Sequence, residues 1–127
     1  MKNMDQQNVI RSYIDAYNKF DVEGMLQHLH EQVEFENISD GKVNTTTKGK
    51  AAFGEQARQA IQYFKQRQQS ISSISEKANK IEATINYNAI LAVNLPNGLK
   101  AGETLTLSGK SIFTFKDGKI FTIQDIS

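Results

Sequence analysis

The sequence predicts an α+β fold, a curved antiparallel or mixed sheet wrapped around one long helix. Three observations carry the prediction. Apolar residues recur at three- and four-residue spacing in the first third and again from Lys50, the period of amphipathic helices. After about residue 70 the period becomes two and stays there, as in half-buried strands. Helical patterns thus cluster early and strand patterns late, an order typical of α+β rather than alternating α/β folds.

The first helix is predicted over DQQNVIRSYIDAYNKF, with Val9, Ile10, Tyr13, Ile14, Tyr17 and Phe20 on one face and Asp5 placed to cap its start. Asp21 is a second capping residue, opening a short helix over VEGMLQHLH that shows Val22, Met25, Leu26 and Leu29 to the core. Together they form an N-terminal helical hairpin. A strand follows at residues 33–38, where Val33, Phe35 and Asn37 alternate with Glu34, Glu36 and Ile38. SDGK reads as a tight turn, and KVNTTTKG as a polar strand. The third helix starts at Lys50. Its stripe is Phe53, Ala57, Ala60, Ile61 and Phe64, and its outer faces carry Glu55, Gln56, Arg58, Gln59, Gln62, Lys65 and Arg67.

Four strands complete the pattern. QSISSISEK comes first. KIEATINYNAILAV puts Ile81, Ala83, Ile85, Tyr87, Ala89, Leu91 and Val93 on one side. After a loop at LPNGLKAGE, ETLTLSGKSIFTF aligns Leu105, Leu107, Gly109, Ser111, Phe113 and Phe115. KDGK turns the chain into IFTIQDIS, where Phe121, Ile123 and Asp125 are in phase. An acid in line with two large apolar residues is the most informative local feature, because a buried carboxylate is costly unless it is paired, protonated or wet.

A chain of 127 residues is read as one domain, 1–127. Hydrophobic residues make up 39%, charged residues 23%, and the net charge is +1. The charges are dispersed, so neither a nucleic-acid-binding stripe nor an acidic tail is predicted. Without cysteine, disulfides and thiolate chemistry are excluded. Neither a signal-peptide core nor a run near the roughly 18 apolar residues of a membrane span is present, and a cytoplasmic protein without membrane attachment is the default. His28 and His30, two apart at the end of the second helix, point in different directions. With no third ligand at useful spacing, no metal is expected. KGKAAFG lacks the spacing of a phosphate-binding loop, and no cofactor is expected.

Two stretches, VIRSYIDAYNKFDVEGMLQHLHEQVEFE and SIFTFKDGKIFTIQDIS, resemble the nuclear transport factor 2-like or SnoaL-like superfamily, a cystatin-like α+β cone with an internal pocket. The resemblance covers nearly the whole chain. It implies a small-molecule site and leaves the chemistry open among isomerases, cyclases, epoxide hydrolases, dehydratases and members that only bind or associate. Tyr13 falls where ketosteroid isomerases carry an oxyanion-donating tyrosine. The base position falls on Asn37, which cannot accept a proton in that role, and the later-strand acid falls on Ser111. Asp125 resembles the acid on the last strand of SnoaL-like polyketide cyclases, whose partner histidine corresponds to Ser111. The chain thus departs from both patterns.

Asp125 and Tyr13 are the candidate catalytic pair, and Tyr17, Phe35, Asn37, Phe53, Ala57, Ile61, Tyr87, Ser111, Phe113 and Ile123 are candidates to line the pocket. Each has a plainer reading. Asp125 could be exposed at a fraying strand end, and the tyrosines could simply pack. Asn37 could cap a turn, and Ser111 could be small only to leave room. Two functions follow. One is a cofactor-independent isomerase, cyclase or lyase that moves a proton on a small, mostly apolar, oxygen-bearing substrate. The other is a non-catalytic ligand-binding or dimerisation module. A homodimer through the outer sheet face, around Asn86, Asn88, Ile90, Thr104, Thr106, Lys110, Ile112 and Thr114, is expected from the resemblance.

Overall fold

A computed structural model describes residues 2–96 and 98–127, with side chains from Asp5 onward. Helix α1 (Lys2–Asn18) and helix α2 (Val22–Leu26) are followed by strands β1 (Leu29–Ser39) and β2 (Lys42–Lys48). Helix α3 (Lys50–Ile61) leads into β3 (Phe64–Lys77), β4 (Lys80–Leu91), β5 (Thr104–Lys116) and β6 (Lys119–Ile126). The predicted loop at residues 95–103 joins β4 to β5, its Asn97 lying outside the described residues.

The six strands form one curved, unclosed mixed sheet in the order β2-β1-β6-β5-β4-β3. Every pairing is antiparallel except that of β1 with β6, which is parallel. The last strand therefore lies between the first strand and β5. The helices pack on the concave side, α1 against β3 and β6, α3 against β1 and β2. Ile10, Tyr13 and Ile14 of α1, Met25 of α2 and Phe53 of α3 join Leu29, Val33, Ile81, Ala83, Ile85, Phe113, Ile120 and Ile123 in one apolar core.

Local chemistry explains the corners. The Asp21 carboxylate accepts a 2.9 Å bond from the Gly24 amide and caps α2. Helix α1 ends with Asp21 N donating to Ala16 O at 2.9 Å and Phe20 N to Tyr17 O at 3.1 Å, a Schellman arrangement. Phe20 occupies its left-handed position at φ 60°, an unusual place for a bulky side chain. Asp40–Gly41 and Asp117–Gly118 both take positive φ, as two-residue hairpin turns require.

Several sequence expectations are corrected. Asp5 lies inside the first turn of α1 instead of capping it. Helix α2 stops at Leu26, and Leu29 and His30 belong to β1. Helix α3 stops at Ile61, so Phe64 and Arg67 stand on β3, where pairing of Phe64 with Leu91 and of Arg67 with Ala89 overrides the helical spacing. Phe121 does not share a face with Ile123 and Asp125. A bulge skips Phe121 between the pairs Thr114–Thr122 and Phe115–Ile120, which resets the alternation. Ile120 and Ile123 are both buried as a result, while Phe121 stacks on His30 with ring centroids 5.3 Å apart.

The end of β6 is seated by a close approach. A Cβ placed on Gly109 would collide with the backbone carbonyl oxygen of Ile126, and backbone cannot swing aside as a side-chain tip can. Gly109→Ala should therefore cost about 1–3 kcal/mol, the range for overpacking, read from urea midpoints. It should also shift the amide resonances of residues 125–127 more than those of the β3–β4 turn.

Candidate functional site

Between helices and sheet lies a cavity of about 160 Å³. Tyr13 and Tyr17 enter from α1, Met25 from α2, and Phe53, Gln56, Ala57 and Ala60 from α3. The sheet contributes Phe35 from β1, Phe64, Arg67 and Gln69 from β3, Ser111 and Phe113 from β5, and Asp125 from β6. A second recess of about 180 Å³ adjoins it and shares Tyr17, Gln69, Ser111 and Asp125. Asn37, Tyr87 and the exposed Leu107 line that recess.

One rung of the sheet organises the polar side. Asp125 pairs with Asn37 on β1 and with Ser111 on β5. Side chains at paired positions emerge on the same face, so all three project inward. The Ser111 hydroxyl donates to Asp125 Oδ1 at 2.7 Å. Asn37 bonds to β2 and not to Asp125, its Nδ2 donating to Asn44 Oδ1 at 2.8 Å. Asp125 is half-buried, and burial raises its pKa from the ordinary 3.8 to about 6, against the opposing pull of the Ser111 hydrogen bond. The charged form loses hydration that one hydroxyl does not replace.

Tyr13 is buried, with its ring 6.5 Å from that of Phe53 and 6.3 Å, edge-on, from that of Phe113. Burial first, and the Asp125 charge second, hold its hydroxyl well above the usual phenol range. It is accordingly a neutral donor at any physiological pH. The Tyr17 hydroxyl donates to Tyr87 Oη at 3.1 Å. Burial raises both of these phenols as well.

The structure thus brings Asp125, Tyr13, Tyr17, Phe35, Phe53, Ala57, Ser111 and Phe113 to one cavity. Asn37 and Tyr87 are in the adjoining recess. Ile61 lines neither volume, because α3 ends there. Ile123 is 1% exposed and lies in the core beneath the cavity, not in its wall.

Arg67 and Gln69 escaped the sequence reading. Extending the helix through Gln68 put Arg67 on its solvent face, whereas β3 turns it inward to 5% exposure. Its Nε donates to Tyr17 O at 2.9 Å and its guanidinium carbon sits 3.6 Å from the Tyr17 ring centroid. Run as a strand from Gln69 backward, QRQQSIS puts Arg67, Gln69 and Ile71 in phase; that was the available signal. His28 and His30 lie away from the cavity. Nowhere among the described residues do three or more His, Cys, Asp or Glu side chains gather as a metal site.

The fold and cavity define a cystatin-like cone of the nuclear transport factor 2-like superfamily. A family model for the SnoaL-like domain matches residues 10–123, and the chain belongs to that family. Solved structures agree in fold. A candidate polyketide cyclase from Xanthomonas campestris pv. campestris superposes with a TM-score of 0.85 at 19% identity, over 100% of this chain and 93% of its own. A candidate SnoaL-like polyketide cyclase from Jannaschia gives 0.80 at 8%, covering 96% and 84%. An epoxide hydrolase of the LEH-like type from M. tuberculosis gives 0.77 at 13%, covering 97% and 82%. Among curated protein sequences none matches.

The Asp125 shift has a consequence for stability. A carboxyl that holds its proton more tightly when folded contributes stability below the unfolded pKa, and this is lost as pH rises through the folded value. Between pH 4 and pH 7 the loss is about 2 kcal/mol for a shift from 3.8 to about 6. Asp125→Asn removes the titration. The stability of the variant relative to the parent should therefore climb across that window, measured by denaturant unfolding at each pH. A constant difference would place the Asp125 titration at an ordinary value.

Proposed function

We propose that the protein is a cofactor-independent isomerase, cyclase or lyase that moves a proton next to a carbonyl of a small substrate. The observation that carries this reading is Asp125, a carboxyl on an apolar cavity wall with a pKa near 6 and one hydrogen-bonding neighbour. At neutral pH such a group is mostly ionised, yet basic enough to take a proton from carbon. Tyr13 is the oxyanion donor, since burial keeps its hydroxyl protonated. Asn37 is the weaker choice for that role because its amide is committed to Asn44. A candidate polyketide cyclase on the same scaffold fits a reaction of this general kind.

The same reading takes the protein to be cytoplasmic and homodimeric. Among the described residues no helix is long and apolar enough to cross a membrane. The outer sheet face carries a polar ladder in which Thr106 Oγ1 donates to Asn88 Oδ1 at 3.2 Å and Ser108 Oγ to Asn86 Oδ1 at 3.4 Å. Such a face suits a wet, symmetric interface. Sedimentation at micromolar concentration should give a dimer, and a monomer there would remove this part.

Catalysis is tested by exchange of the α-protons of small cyclic ketones in D₂O, followed by NMR. The rate should rise with pH through about 6, as the base ionises, and then level off. Asp125→Asn should abolish exchange, and Tyr13→Phe should slow it about 10²-fold, the cost of one oxyanion donor. Equal rates in parent and Asp125→Asn would leave a binding module as the reading.

A further inference from the structure

Arg67 is nine-tenths buried, and its Nη2 is sealed from water with no hydrogen-bond partner. None of the ion pairs among the described residues includes it. Two rings hold it, Tyr17 at 3.6 Å and Phe20 at 4.8 Å from the guanidinium carbon. Those contacts and the Nε bond to Tyr17 O fix its plane. They offset part of the cost of burial but leave donor capacity unused. A buried cation without a counter-ion is rare, because desolvation of an unpaired charge is expensive. Phe20 supports Arg67 from a left-handed backbone position, an unfavourable one for its side chain. Strain of this kind tends to persist where it serves a site.

We propose that the cavity takes its ligand as an anion, a ring-sized monocarboxylic acid whose carboxylate pairs with Arg67. The proposal deepens the reading above and rests on the same cavity. Size supports one ring. A void of about 150 Å³ accommodates benzene, and the cavity measures about 160 Å³. Chemistry supports a carboxylate, whose two oxygens match the guanidinium fork. Arg67 and Asp125 both line the cavity without pairing to each other. A ligand seated by its carboxylate on Arg67 points its far end toward Asp125 and Tyr13. A substrate of this class therefore carries its carbonyl at the end remote from the carboxylate. Arg67 also borders an open groove shared with Asp15, Lys19 and Gln68, so the experiment must separate cavity from groove.

Benzoate and its neutral isostere benzamide are compared by calorimetry on the intact chain at fixed pH and ionic strength. Benzoate should bind at least tenfold more tightly. Arg67→Met should erase the preference, Arg67→Lys should keep part of it, and Ala57→Leu, which fills the cavity, should abolish binding of both. Equal affinities in the parent, no binding of either, or a preference that survives Arg67→Met would each overturn the proposal. Survival in Ala57→Leu would place the anion in the outer groove and overturn it too. If Arg67→Met fails to fold, the parent comparison and Ala57→Leu still decide. Asp125→Asn keeps the parent and proton-transfer questions apart. A carboxylate preference retained in that variant, with no exchange by the parent, would sink the catalytic reading and leave this one. Exchange of neutral ketones by a parent without carboxylate preference would do the reverse.

Discussion

The structure turns on one rung of backbone pairing, Asn37–Asp125–Ser111, where β6 lies between β1 and β5. Sequence neighbours could not make it, since the three residues come from the first strand and the two last. Its formation requires β6 to run parallel to β1 and antiparallel to β5, and to come close enough to β5 that Gly109 has no room for a side chain. Once the strand is seated, alternation fixes the rest. Ile123, two residues earlier on the same face, goes into the core, and Asp125 is carried to the level where the helices no longer fill the cone. The acid is held where solvation is poor because the strand that bears it is held by its neighbours' amides and carbonyls.

The cavity then has polarity along its walls. An arginine stands on β3 and a carboxyl on β6, with Tyr13 and Tyr17 on α1 feeling both charges. Had the two met, they would have formed an ion pair and cancelled. Their separation keeps each available. It also has a cost, offset by the apolar cluster that runs from Ile10 to Ile123 beneath them and by the aromatic rings around Arg67.

Much of this was legible in the chain. Helical stripes, Asp-Gly turns and period-two strands give the α+β class and the element order, since each depends on residues close in sequence. The phase of Asp125 on the inner face is legible too, because Ile123 and Asp125 lie beyond the bulge. The misreadings share a cause. Phe64 keeps helical spacing with Phe53 and Ala57, and Arg67 reads as its solvent-facing neighbour, yet the backbone of both is claimed by β4. Phe121 is displaced by a bulge that only pairing with the distant strands β5 and β1 reveals. Pairing between distant strands overrides local pattern at those points, and the cavity's one buried cation was hidden by that override.

The rung also limits what chemistry is open to the site. Two acids placed side by side titrate as a pair, one held up and the other down, so that proton transfer can be shared between them. Here the neighbours of Asp125 are an amide and a hydroxyl. Neither ionises near neutral pH, so burial, tempered by one hydrogen bond, sets its affinity for a proton. Any proton chemistry at this position is that of a single carboxyl, which must return the proton it takes or pass it to solvent through the recess at Ser111 and Leu107. That requirement favours reactions in which one group can serve as base and then as acid, such as moving a hydrogen between neighbouring carbons, over those needing an acid and a base at once.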